Sequence, residues 1–276
     1  MAQQRPPQLP INDVVQRLLE ENKLLSAAVR RSEQRISALE AVNVLAAQGR
    51  KPRMPIEFRA QFNEDVWLWE LFNRKTEGFF IEVGAFDGYN YSVSYAFECV
   101  GWTGLLVEAI PSKYQLCAQR RSASRVVHAA LGRRNAPPTA QFTFVDDPYG
   151  GMLSFNATTR EHLAKVGPRF RTEKVTVPQT TMNALLADHQ GDIDFASIDV
   201  EGGELDLLDG FDLLKHRPKV LLIEDNERGT DPAIGQFMAA MPYTFCDWIG
   251  HNRIYIRSDL TDLQDRLRWL TIAASQ

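Results

Sequence analysis

With 276 residues, 44% of them hydrophobic and 24% charged, the chain has the make-up of a soluble globular protein able to bury a full core. A formal net charge of −4 gives no electrostatic reason to expect nucleic acid as a partner, and no apolar run approaches the ~18 residues of a transmembrane segment. Cys99, Cys117 and Cys246 have no C-x-x-C spacing, which argues against a disulfide framework or zinc site and fits a reducing, cytoplasmic setting.

Residues 1–10, MAQQRPPQLP, are polar and proline-rich and read as disordered. From residue 11 to 47 the pattern becomes heptad. Val15, Asn22, Val29, Ile36 and Asn43 occupy one seam position, and Leu18, Leu25, Ser32, Leu39 and Ala46 the other. β-branched residues and asparagines at a with leucine at d predict a parallel two-stranded coiled coil, and so a homodimer. The alternative is a single amphipathic helix packed on its own domain. Residues 1–53 carry +4 and the remainder −8, so the arm is basic and the main body acidic. Residues 48–56 read as a linker, because Gly49, Pro52 and Pro55 break a helix. The span 57–276 is then one catalytic domain, opening with a short helix whose apolar residues are Phe62, Val66, Trp69 and Phe72.

The stretch FFIEVGAFDGYNYS, residues 79–92, has the strand–turn–helix pattern of a ligand-binding unit. The apolar run at 79–83 predicts a buried strand, Glu82 to Gly88 a glycine turn, and Tyr91 to Val100 a helix. A second strand, Leu105–Val107, ends in Glu108, 24 residues beyond Gly84, where a carboxylate can accept both ribose hydroxyls. Phe86 stands where G-x-G-x-x-G needs its second glycine, which argues against a dinucleotide. The spacing is instead E-x-G-x-x-x-G, the pattern of S-adenosylmethionine-dependent methyltransferases. Gln61, Glu82, Gly84, Ala85, Phe86, Asp87, Gly88, Glu108, Ala109 and Ala130 are the candidate cofactor-binding residues.

Further along, Pro111 opens a helix to Arg121, and Arg125–Ala130 reads as a third strand, with His128 as a core histidine. Residues 133–172 are irregular apart from a strand at 141–145 and a turn at 147–151, and part of substrate recognition is placed there. Glu173–Val177 is extended, and a helix follows with a threonine cap at 180 or 181. Strands at 194–198 and 219–223 end in Asp199–Glu201 and Glu224–Asn226, with one helix between them from Glu204 to Leu214. Two antiparallel strands, 243–248 and 252–256, and a helix at 259–270 close the chain. The fold class expected is α/β, a Rossmann-like class I methyltransferase sheet with helices on both faces, behind the N-terminal coiled coil.

These residues resemble the FkbM-type family of S-adenosylmethionine-dependent O-methyltransferases. The resemblance rests on Gln61 with Glu64–Asp65, on EVGAFDG, on GWTGLLVEAIP and above all on SIDVEGGE followed by LLIE, and spans about 70% of the chain. It implies O-methylation of a hydroxyl of a saccharide, glycoconjugate, polyketide or other small natural product. Carried over by position, Glu82, Gly84 and Gly88 line the methionine end and Glu108 holds the ribose. Ala109–Ile110 and Phe86 depart from the usual family residues.

An aliphatic hydroxyl has a pKa near ~16, so its proton needs a base or a metal ion. One reading is Mg²⁺ held by Asp199, Asp225 and Asn226; the other is a general base among Asp199, Glu201 and His251. The rival outside enzymology is a coiled-coil scaffold carrying a methyltransferase-like domain that no longer catalyses.

Overall fold

The computed structural model describes residues 11–146, 155–156 and 170–274. The disordered start expected at 1–10 and the turn expected at 147–151 lie outside the described residues. The chain opens with helix α1 (Ile11–Ala47), followed by α2 (Glu64–Leu71). β1 (Phe79–Val83), α3 (Tyr95–Val100), β2 (Thr103–Glu108), α4 (Pro111–Arg120) and β3 (Arg125–His128) form the first wound half. β8 (Phe195–Ile198), β9 (Val220–Glu224), β10 (Tyr243–Ile249) and β11 (Asn252–Arg257) complete a seven-stranded sheet in the order β10–β11–β9–β8–β1–β2–β3. Strands β3, β2, β1, β8 and β9 pair in parallel, and β11 inserts antiparallel between β9 and β10. That order and that one reversed strand are the class I methyltransferase arrangement read from the sequence.

The central strands carry unbroken apolar runs because both faces are covered. One face packs against Trp69, Phe72, Phe97 and Trp102; the other against Met182, Leu207, Leu208 and Phe211. The parallel twist places the carboxyl ends of β1, β2, β8 and β9 along one edge, where ligands of such sheets bind.

Four expectations shift. The strand read through Ala130 breaks at Ala129: β3 stays in the main sheet, and β4 (Ala130–Leu131) pairs with a second sheet. That sheet includes β5 (Thr139–Asp146), β6 (Phe155–Asn156) and β7 (Arg171–Thr180), so the strand expected at 141–145 and the extended piece expected at 173–177 are both longer and pair as an antiparallel β5–β7 ladder. The helix expected from Tyr91 starts at Tyr95, because Ser92, Val93 and Ser94 give their donors to Glu82. The helix expected over 204–214 is two, α6 (Glu204–Asp209) and α7 (Leu213–His216), interrupted at Gly210 and restarted by the Asp212 cap. Short α5 (Met182–Leu185) is capped by Thr181 as expected, and α8 (Ala233–Ala239) and α9 (Thr261–Ala274) complete the helices among the described residues.

Residues 48–56 are tied down. Arg53 donates to the Trp102 carbonyl at 2.8 Å and Arg50 to Thr76 at 2.8 Å. His128, expected in the core, is half-buried at its edge, bonded to the Ala109 carbonyl at 3.0 Å and stacked on Tyr114.

Candidate active site

The site begins where β1 ends. Gly84 has φ +77°, and a Cβ there would overlap the Asp199 carbonyl oxygen, so only glycine lets the β1 turn pass the end of β8. Phe86 follows at φ 49° and donates its N–H to Glu108 Oε2 at 2.7 Å. Glu108 Oε1 accepts the Ile110 N–H at 2.7 Å, so one carboxyl couples the two loops that close over the sheet edge. Each oxygen keeps a further lone pair, and Glu108 lines a cavity.

Glu82 is held from behind. It accepts Ser92 Oγ at 2.9 Å, the Val93 N–H at 2.8 Å and the Ser94 hydroxyl, and Arg121 Nη1 lies 3.7 Å away. Arg121 is fully buried and also donates to Glu98 at 3.0 Å and to the Gly88 carbonyl at 3.2 Å. Asp87 turns away from the cavity, accepting the Tyr89 and Asn90 N–H groups and pairing with Arg120 at 2.6 Å. Asp87 and Gly88 therefore shape the turn without lining the cavity.

Two connected spaces open at this edge. A recess of about 100 Å³ is lined by Gly84, Phe86, Glu108, Ala109, Ala130 and Phe142 from the second sheet. A chamber of about 670 Å³ is lined by Gln61, Phe62, Glu82, Ala85, Tyr91, Asn226, His251 and Asn252. Val83, Gly84, Phe86, Asp199 and Glu201 face both. The outer wall is the segment before α2. Glu64 fixes it by accepting the Phe62 N–H at 2.8 Å and Asn252 Nδ2 at 2.9 Å, and Phe62 packs edge-on to His251.

Asp199, Glu201 and Glu224 converge, with carboxylate oxygens within 4.8 Å of one another. Glu224 Oε2 is a buried acceptor that meets no backbone or neutral side-chain donor among the described residues. Loss of water and then repulsion by Glu201 raise Asp199, although that residue opens to the cavity; loss of water and repulsion by Asp199 raise Glu224. Such crowding keeps a proton shared between them near neutral pH. Glu201 sits at φ 52°, a strained position for a residue with a side chain.

Of the Mg²⁺ ligands expected, the structure brings Asp199 and Asn226 to the cavity and turns Asp225 away. Asp225 is buried against Arg253 Nε at 2.6 Å and accepts the N–H groups of Glu227 and Gly229 at 3.1 Å each. Adjacent strand-end residues point to opposite sides, so Glu224 takes the place expected for Asp225. Replacing Asp225 with alanine strands a buried guanidinium; the expected loss is ~3–5 kcal/mol of stability, with cofactor affinity of the folded fraction kept. Thermal unfolding with and without ligand checks this. Unchanged stability with lost turnover would return Asp225 to the chemistry.

In sequence comparison, residues 82–254 match the model of the methyltransferase FkbM domain, more than half of the chain. The chain belongs to the FkbM methyltransferase family. No curated protein matches it in sequence. Among solved structures, the METTL16 MTase domain is similar at 14% identity and TM-score 0.40, over 71% of this chain and 66% of that one, just under two thirds. The human methyltransferase 10 domain containing protein is similar at 15% identity and TM-score 0.38, over 70% of this chain and 79% of that one. A precorrin-6y C5,15-methyltransferase from Geobacter metallireducens is similar at 16% identity and TM-score 0.35, over 71% and 86%. Every one of these TM-scores is below 0.5, and no function passes across such likenesses to the FkbM chain.

Loss of water raises three buried carboxyls to about 7: Glu108 inside the matched FkbM domain, and Glu64 and Asp65 in the segment before it. Their folded values lie above the ordinary 4.5 and 3.8, so the folded state binds more protons than the unfolded chain up to about pH 7. Stability is therefore lost as pH rises through 7. The unfolding midpoint is expected to be higher at pH 6 than at pH 8, reflecting roughly 1 kcal/mol of unfolding free energy per such carboxyl. A midpoint that climbs over that interval would contradict it.

Several residues of the site were not singled out from the sequence. Phe142 falls in the strand expected at 141–145, with nothing to mark it as lining a cavity. Glu224 was one of two neighbouring acids. Asn252 becomes visible only through the register that pairs it with Glu224.

Proposed function

We propose that this FkbM-family chain transfers a methyl group from S-adenosylmethionine to a hydroxyl of a saccharide or glycoconjugate. The observation that carries the reading is the chamber beside the carboxyl triad, whose walls mix amides with aromatic rings. Gln61, Asn90, Asn226 and Asn252 offer both donors and acceptors, as a ring bearing hydroxyls requires, and Tyr91, 45% exposed, offers a flat apolar face.

The donor set also suits S-adenosylmethionine. Glu108 would meet the ribose hydroxyls, Ala109, Ala130 and Phe142 an adenine ring, and Gly84, Ala85, Phe86 and Glu82 the methionine end. The concentration of negative charge at Asp199, Glu201 and Glu224 supports a cationic neighbour there. When bound, S-adenosylmethionine supplies an electrophilic methyl group on a sulfonium. Asp199 is the residue assigned to take the acceptor hydroxyl proton at a carboxylate oxygen, since a base with a raised pKa holds that proton better at neutral pH. Glu201 and His251 border the same space, and Phe62 with the Glu64-held segment forms its outer wall.

The test is transfer of a radiolabelled methyl group to saccharides, lipid-linked glycans and polyketide aglycones, with the product mapped by NMR. A new O-methyl ether on a sugar is expected. Label only on non-sugar hydroxyls would overturn the substrate class. The triad also favours a second reading, a divalent ion as activator of the hydroxyl. Turnover abolished by EDTA and restored by Mg²⁺ would support it; turnover indifferent to EDTA is the result the base reading requires.

A further inference from the structure

Helix α1 has two apolar faces, and the catalytic domain covers one of them. Ser37, Ala41 and Leu45 are buried against the domain, with Ala38 and Val44 beside them. Gln34 reaches the Ala60 carbonyl at 3.0 Å and Asn63 donates to Glu33 at 2.6 Å, which fixes the helix on the segment that walls the chamber. The heptad seam lies on the other side. Val15, Leu18, Leu25, Val29, Ile36 and Leu39 are between 46% and 68% exposed, an apolar stripe running ~45 Å from Val15 to Ala46.

We propose that a second copy of this chain packs along that stripe as a parallel, in-register coiled coil. Three observations choose this occupant. Asn22 and Asn43 both stand at a, so in a parallel pair each amide meets its own copy and both are satisfied. In the fully overlapped antiparallel pair, Asn22 faces Leu39 and Asn43 faces Leu18, leaving polar groups against apolar ones. The flanking charges allow it: in the parallel register no g–e pair sets like charges together, and Glu40 at e is held by Arg74 of its own domain at 3.1 Å. Finally, the domain-facing residues Ser37, Ala38, Ala41, Val44 and Leu45 fall at b, c and f, with Glu33 and Glu40 at e also touching the domain, so the a and d seam itself stays clear. The inference stands whatever hydroxyl the domain methylates.

The experiment is light scattering on the size-separated full chain, with two variants. The wild type is expected at twice its 31.3 kDa chain mass. Leu25→Glu with Leu39→Glu, both exposed on the single chain and remote from the cavity, is expected to halve that mass while the domain melts at its usual temperature. Leu25→Cys is expected to give a covalent dimer on mild oxidation, because identical d positions meet only in the parallel register. A monomeric wild type, a trimer or larger, a double variant that stays dimeric, or a Leu25→Cys chain that does not cross-link would each overturn the proposal.

Discussion

Replacing Arg121 with methionine is expected to lower the unfolding free energy by about 3–5 kcal/mol and to abolish binding of S-adenosylhomocysteine. The guanidinium is fully buried and makes hydrogen bonds to Glu98, Gly88, Ser92 and Ser94, with Glu82 within ion-pair distance. Methionine fills comparable space, so packing loss is small and the effect isolates the charge. Two buried carboxyls, Glu82 and Glu98, then lose their cation, and the Ser92–Ser94 segment loses the group that holds it under the turn. Urea denaturation measures the first part and ligand titration of the folded fraction the second. A stability change below ~1 kcal/mol would mean that the hydrogen bonds of the two acids suffice without the cation.

Asp199→Asn is expected to lower turnover by ~10²–10⁴-fold while leaving cofactor affinity within a few fold. The amide keeps the size of the carboxyl but cannot accept the acceptor's proton. It also removes one of three converging negative charges, so Glu224 is expected to ionise more readily and the protein to remain folded. Single-turnover rates across pH separate these effects: the wild type should gain rate as pH passes about 7, and the variant should lose that rise. Near-normal turnover in Asp199→Asn would move the base to Glu201 or His251, which line the same chamber.

What the sequence could show and what it could not follow from where the partners lie along the chain. The Gly84 turn, Glu108 and Asp199 were legible because each follows directly on an apolar run, and a parallel sheet sends all such ends to one edge. The heptad seam was legible from its period alone, while the opposite, domain-facing side of the same helix was not. Arg121 looked like an ordinary charge near a helix end; its partners Glu82, Ser92 and Glu98 lie 39, 29 and 23 residues away, and only the fold brings them together. The choice between Glu224 and Asp225 turned on the pleat of β9 and on Arg253, which lies 28 residues beyond Asp225. The second sheet was half seen: both long strands had alternation, but their pairing, which places Phe142 at the recess, had no local signature.

The most direct test of the central claim is calorimetric titration of the full chain with S-adenosylmethionine, S-adenosylhomocysteine and NAD, for the wild type and for Glu108→Gln. Micromolar binding of both adenosyl ligands is expected, with no binding of NAD and at least tenfold weaker adenosyl binding in the variant, which keeps the side-chain volume but not the charge. Preference for NAD, or no binding of either adenosyl ligand by folded protein, would contradict the reading of the Gly84 turn and of the cavity built on it.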